Sequence, residues 1–178
     1  MARKRTKVGG EKFAPDLEPL ARSVEGLQLD PANTRLHSDR NIDAVRASLR
    51  KFGQQKPIVA NKDGVIIAGN GTLRAAILEG WERIAVAVFD GSEEDAIAYS
   101  IADNRSSELA EWDWQQLATH LQGTLKGIDL GLIGFEDYEI EPIMQAEWEP
   151  PDVDPDADFQ LGSSNKPQRE CPKCGHEW

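Results

Sequence analysis

Apolar positions recur at helical spacing through Ile42, Val45, Leu49 and Phe52 and predict an amphipathic helix. Asp39 or Asn41 is placed to cap it, and Gly53 to end it. Its opposite face carries Arg46, Arg50 and Lys51. Two short β-branched runs follow, at 57–60 and 65–68. Between them Asn61-Lys62-Asp63-Gly64 holds an Asp-Gly turn, so the pair predicts a β-hairpin. Gly69-Asn70-Gly71-Thr72 leads into a second helix through Leu73, Ala76 and Ile77, which Gly80 stops. Residues 84–89 are nearly all apolar and predict a strand buried on both faces. Ser92 and Asp95 approximate a capping box for a helix running to about Glu108. Trp112-Asp113-Trp114 opens a further helix with Leu117, Leu121 and Leu125, ended by Gly127, and Trp114 is expected to pack on the core.

The flanks are less regular. Residues 24–29 read as a short strand and Asp30-Pro31-Ala32-Asn33 as a turn. Residues 136–144 suit one more short acidic helix. The organisation expected is a flexible basic arm (1–22), a globular domain (23–110), a helical extension (111–145), an acidic Pro-containing linker (146–170) and a cysteine-bearing tail (171–178). The fold class is α/β (α+β): a small mixed β-sheet with packed helices and disordered termini.

A chain of 178 residues has room for one domain and its tails. No window approaches ~18 consecutive apolar residues, so no membrane partner is expected. The basic start, Arg3-Lys4-Arg5-Thr6-Lys7, is followed by no apolar stretch and is not a secretory signal. Two cysteines, Cys171 and Cys174, exclude a disulfide framework and fit a reducing, cytoplasmic setting. The net charge of -11 is unevenly spread. Residues 1–60 hold 12 basic and 7 acidic side chains, whereas 134–160 hold 10 acidic and no basic ones. The basic end retains the means to touch a phosphate backbone.

The strand-to-helix junction at Gly69-Asn70-Gly71-Thr72 offers unpaired backbone N–H groups and the positive helix end to an anion. Thr72 is placed to cap the helix and Arg74 to add a charge-assisted contact. The alternative is a turn that needs glycine for geometry alone. The loop matches neither the dinucleotide fingerprint nor a P-loop. In the tail, Cys171-Pro172-Lys173-Cys174-Gly175-His176 is half of a zinc knuckle, with Cys171, Cys174 and His176 as candidate zinc ligands. The alternative is a tail without metal, because a structural zinc takes four ligands.

The order of elements and motifs resembles the N-terminal domain of the ParB/sulfiredoxin-like superfamily over about residues 24–110. Asn33-Thr34-Arg35 is similar to its early Asn-x-Arg signature. Phe52-Gly53-Gln54-Gln55-Lys56-Pro57-Ile58-Val59 is similar to its Gly-x-x-Gln-Pro-Ile-x-Val segment. Gly69 to Ala75 stands where the superfamily has Gly-Glu-Arg-Arg-x-Arg-Ala, and Asp103-Asn104-Arg105 where it has Glu-Asn-x-Gln-Arg. The continuation through Trp112-Asp113, with Leu132-Ile133-Gly134-Phe135, resembles the phage and prophage branch, often joined to or encoded beside DNA modification methylases.

The resemblance implies a nucleotide, CTP or ATP, held with Mg2+ at the glycine-flanked loop. It departs where Asn70 replaces Glu, Gly71-Thr72 replaces Arg-Arg, and Lys56 stands for Gln. With no Cys in the loop, sulfinic-acid reduction of the sulfiredoxin type is excluded. Three readings follow. The first is an accessory to phage or bacterial DNA modification or partition-type processes that binds phosphate of a nucleotide or DNA. Its binding residues are Lys56, Gly69, Asn70, Gly71, Thr72, Arg74, Asn104 and Arg105. The second is a Mg2+-dependent nucleotide phosphohydrolase or nuclease with Asp103 as catalytic and metal-binding carboxylate. The third is an interaction module that docks a DNA methylase without ligand chemistry. The partners implied are DNA or a DNA methylase, with a homodimer possible by family analogy, in a bacterial or phage-infected cell.

Overall fold

The hairpin read from the Asp-Gly turn forms the centre of a mixed sheet. The computed structural model describes residues 11–145. Strands β1 (Ala21–Ser23), β2 (Ile58–Ala60), β3 (Ile66–Ala68) and β4 (Arg83–Val88) lie in the order β1-β4-β2-β3. β2 pairs antiparallel with β3 and parallel with β4, and β1 pairs antiparallel with β4, Ala21 opposite Ala85. A parallel neighbour demands a crossover, and α2 (Asn70–Leu78) supplies it between β3 and β4. The helices α1 (Asp39–Phe52), α3 (Glu93–Leu109), α4 (Trp114–Gln122) and α5 (Asp137–Gln145) complete the set. Among the described residues no helix is long and apolar enough to cross a membrane.

The core forms where α1 and α2 meet the sheet, around Leu49, Ile66, Leu73, Trp81, Ile84 and Val86. All but Trp81, which lies between α2 and β4, are apolar positions that the helical and β-branched patterns selected. One buried polar side chain joins them. Gln54, 2% exposed, donates from Nε2 to Ala85 O (2.9 Å) and accepts at Oε1 from Ala85 N (2.7 Å). Glu79 is also buried, and its Oε1 accepts from Arg46 Nε (2.7 Å) and Arg50 Nη1 (2.8 Å), clamping α2 to α1. The basic face of α1 thus stays partly exposed while two of its arginines cover a buried carboxylate.

Several expectations change. Residues 11–22, read as an arm, are docked along the sheet. Phe13 meets Trp81 edge-on at 5.8 Å, and Leu17 is buried. Gln54 N donates to Lys12 O and Ala14 N to Gln54 O. The apolar residues of this strap, Phe13 and Leu17 foremost, are too scattered among charges and prolines to make a period. Residues 24–29 do not form a strand: Val24–Gly26 is a single 3-10 turn, with the Ser23 hydroxyl accepting from Glu25 N. Only Gln28 bridges to the hairpin, at Val65. Ser38, not Asp39 or Asn41, caps α1. β4 is buried at Ile84–Val86 but Val88 is exposed. The capping box of Ser92 and Asp95 forms as read. α4 stops at Gly123 rather than Gly127. Trp114 lies half exposed against Trp112 instead of in the core. The apolar side of α4 and α5 instead buries Leu121 and Ile140. The arm's first ten residues, the linker and the tail with Cys171, Cys174 and His176 lie outside the described residues.

Candidate functional site

The junction between β3 and α2 is shaped by glycine for two separate reasons. Gly69 has φ +97°, and a Cβ there would lie 2.5 Å from Ile58 Cγ2. No other residue satisfies both the left-handed backbone and the approach to β2. Gly69 is also the N-cap of α2, and it has no side chain to cap the helix. The amide groups of Asn70, Gly71 and Thr72 therefore open the first turn without a side-chain acceptor. Thr72, expected as the cap, is the third residue of the helix.

This turn forms the floor of a cleft of about 720 Å³. The loop before α1 makes one wall with Arg35 and His37, and α3 makes another with Asp103 and Asn104. Lys56, just ahead of β2, also reaches it. The structure thus brings together Lys56, Gly69, Asn70, Gly71, Thr72, Asp103 and Asn104, which are far apart in sequence. Two candidates are not among its walls. Arg74 turns back to α1, its Nη1 3.5 Å from His37 O and its Nη2 3.6 Å from Asp39 Oδ1. Arg105 pairs with Glu108 at 3.1 Å. Each is engaged by a neighbouring carboxylate, Asp39 for Arg74 and Glu108 for Arg105, rather than lining the cleft.

The side chains differ in what they have to spare. Asn70 is buried, with Oδ1 accepting from Asp30 N (2.9 Å) and Nδ2 donating to Ile66 O (3.2 Å). It ties the turn before α1 to β3. Asn104 donates from Nδ2 to Ser100 O (2.9 Å). Lys56 and Asp103 are exposed, and neither side-chain charge has a partner among the described residues. Arg35 pairs with Glu108, whose carboxyl Arg105 and then Arg35 hold below the usual range. That pair links the loop before α1 to the end of α3. Sequence reasoning missed His37 as a wall residue. No local signal marks it, since its neighbour Gly71 is 34 positions away.

The donor set suits one anion beside one carboxylate. Backbone N–H groups and a lysine can receive phosphate oxygens. A Mg2+ ion bound chiefly through phosphates takes one or two protein carboxylates. Asp103 supplies one such carboxylate. Among the described residues no group of three or more His, Cys, Asp or Glu is placed to hold a metal by itself.

No protein-family model matches the chain. It is similar to a probable chromosome-partitioning protein ParB of Treponema pallidum, 37% identical over 87 residues, covering 46% of this chain and 27% of that protein. The chain thus spans about a quarter of the length of that relative. It is similar also to the ParB-like nuclease domain-containing protein YnaK of Escherichia coli K12, 28% identical over 79 residues, 44% of this chain and 91% of that one. Among solved structures it resembles the C-terminally truncated chromosome-partitioning protein ParB from Caulobacter crescentus complexed with CTP-gamma-S. The TM-score is 0.58 at 19% identity, over 70% of this chain and 75% of that chain. The described residues accordingly share the fold of that Caulobacter ParB, and part of the chain is similar in sequence to two ParB-like proteins.

Proposed function

We propose that the cleft binds the phosphates of a nucleotide, with the first-turn amides of α2 and the Lys56 ammonium as its anion-binding groups. The observation that carries this reading is the uncapped first turn of α2 opening into the same cleft as Lys56. The Caulobacter protein of like fold was crystallised with CTP-gamma-S, which makes a nucleoside triphosphate the first ligand to try. Mg2+, when bound with such a ligand, neutralises phosphate charge, and Asp103 with the Asn104 amide oxygen stands ready to hold it. In this reading the protein is a DNA-associated accessory of partition-type or phage and bacterial DNA modification processes. A DNA methylase partner, a homodimer and a cytoplasmic site of action belong to it through the sequence resemblance.

Thermal unfolding in the presence of CTP, ATP, GTP or a short duplex, each with and without Mg2+, tests the reading. Saturation at ~100 times the dissociation constant stabilises by ~2.7 kcal/mol, a shift of several degrees. A selective shift that Lys56→Gln diminishes supports the cleft as the site. No shift with any ligand overturns it.

A second reading is favoured by Asp103, a carboxylate in the cleft with no partner among the described residues. It makes the protein a Mg2+-dependent phosphohydrolase or nuclease, in keeping with the nuclease in the name of the Escherichia coli relative. Product formation that requires Mg2+ and is abolished by Asp103→Asn distinguishes it from binding alone.

A further inference from the structure

Gly71 is buried in the first turn of α2, and a side chain from outside that helix explains the glycine. A Cβ at Gly71 would lie 2.8 Å from Cε1, 3.0 Å from Nδ1 and 3.4 Å from Nε2 of His37. The imidazole edge thus fills the space that a side chain of residue 71 would take. His37 Nδ1 lies 2.8 Å from Asn41 Oδ1. An amide oxygen only accepts, so Nδ1–H is the donor. In the neutral ring that bond uses the proton, and Nε2 presents a lone pair. In the cationic ring Nε2 carries a proton and donates. Nε2 has no hydrogen-bond partner among the described residues.

We infer that His37 is an anion-binding residue of the cleft, donating from Nε2 to a phosphate oxygen held at the first turn of α2. The inference rests on the phosphate-binding reading of the cleft. It makes that binding proton-linked, because protonation changes the ring from a group that repels phosphate oxygens to one that bonds them. The charges around the ring do not replace this effect. Arg74 on α2 lies near Asp39 of α1, Arg40 is tied to Glu139, and Arg35 to Glu108. Lys56 and Asp103, on the other sides of the cleft, are of opposite sign. A positive ring therefore changes the local balance.

The dissociation constant for CTP, measured across pH for the unaltered protein and for His37→Gln, tests the inference. The nucleotide's own phosphates titrate in the same range, so the readout is the difference between the two proteins. Near pH 6 the substitution weakens binding roughly tenfold, and near pH 8.5 by less than about twofold. Saturation with CTP also raises the midpoint of the His37 imidazole titration followed by NMR, as linkage requires. The chain has three histidines, and His37→Gln identifies the resonance. Gly71→Ala, which displaces the ring, reproduces the pH-selective loss and adds nothing in the His37→Gln background. CTP binding with an unmoved midpoint and equal affinities at every pH overturns the role of His37 but leaves the cleft reading intact. Absence of binding by CTP, ATP and GTP at every pH overturns both.

Discussion

The side-chain amide of Gln54 pairs with the backbone of Ala85 as a neighbouring strand residue would, through both its oxygen and its nitrogen. β2 begins only at Ile58, and Pro57 before it has no N–H to give. The amide of Gln54 thus extends the parallel ladder below β2. Replacing it with leucine keeps the volume but leaves two buried backbone groups of Ala85 unpaired. Gln54→Leu is expected to cost about 2–5 kcal/mol, read as a lower urea midpoint at unchanged slope.

Gly69 combines a positive φ with contact against Ile58. Gly69→Ala is expected to lower stability by about 2–4 kcal/mol. Gly26 is the control: nothing lies within 4 Å of its added Cβ, and its φ is not positive. Gly26→Ala should change the melting temperature little. Equal effects at the two sites would remove the steric account of the junction.

Lys56 and Arg74 separate by geometry rather than charge. Lys56 reaches the cleft, whereas Arg74 is turned toward Asp39 and the His37 carbonyl. Lys56→Gln is expected to weaken nucleotide binding about tenfold, and Arg74→Gln by no more than about twofold. Titration calorimetry on both variants decides the order, and the reverse ranking would place the anion elsewhere.

Glu79 is a buried carboxylate shared by two arginines of α1. Glu79→Ala leaves Arg46 and Arg50, both partly exposed, to water and to Asp43, and is expected to cost about 1–3 kcal/mol for the lost charge-assisted bonds. Glu79→Gln keeps an accepting oxygen and should cost less. Chemical denaturation of both variants tests whether the clamp or merely the side-chain volume holds α1 to α2.

Arg40 ties α1 to α5. Its guanidinium pairs with Glu139, whose carboxyl it holds below the usual range, helped by the Glu136 amide. A carboxyl lowered in the folded state contributes stability above its unfolded value of ~4.3. That contribution is lost as pH falls through the lower folded value. Amide exchange in α5 should therefore quicken relative to α1 as the solution is acidified past that range. Arg40→Gln should remove the difference.

The elements that sequence reveals best are those whose own residues carry the pattern. The Asp-Gly hairpin, the α1 stripe and the Ser92–Asp95 box are local, and they stand where the pattern puts them. Phe13 and Leu17 were illegible because two isolated apolar residues make no period, although tertiary contacts hold both. The cleft was half legible. The glycine-flanked turn pointed to Gly69–Thr72, and the resemblance brought Lys56 and Asp103 to the same place. What stayed hidden was direction: Asn70 is spent on backbone bonds, Arg74 faces α1, and His37 enters from outside the helix.

The strap made by residues 11–23 bears on how the chain acquires its fold during synthesis. β1 leaves the ribosome roughly 60 residues ahead of β4, its pairing partner, at rates of about 5–20 residues per second. Phe13 must likewise wait for Trp81, and Leu17 for the sheet it covers. For several seconds the earliest part of the domain has no surface to close upon. Its few apolar residues, spaced among charged and proline residues, leave little to aggregate in that interval. The poverty of pattern that concealed the strap is thus an advantage to a segment that is made early and fastened late.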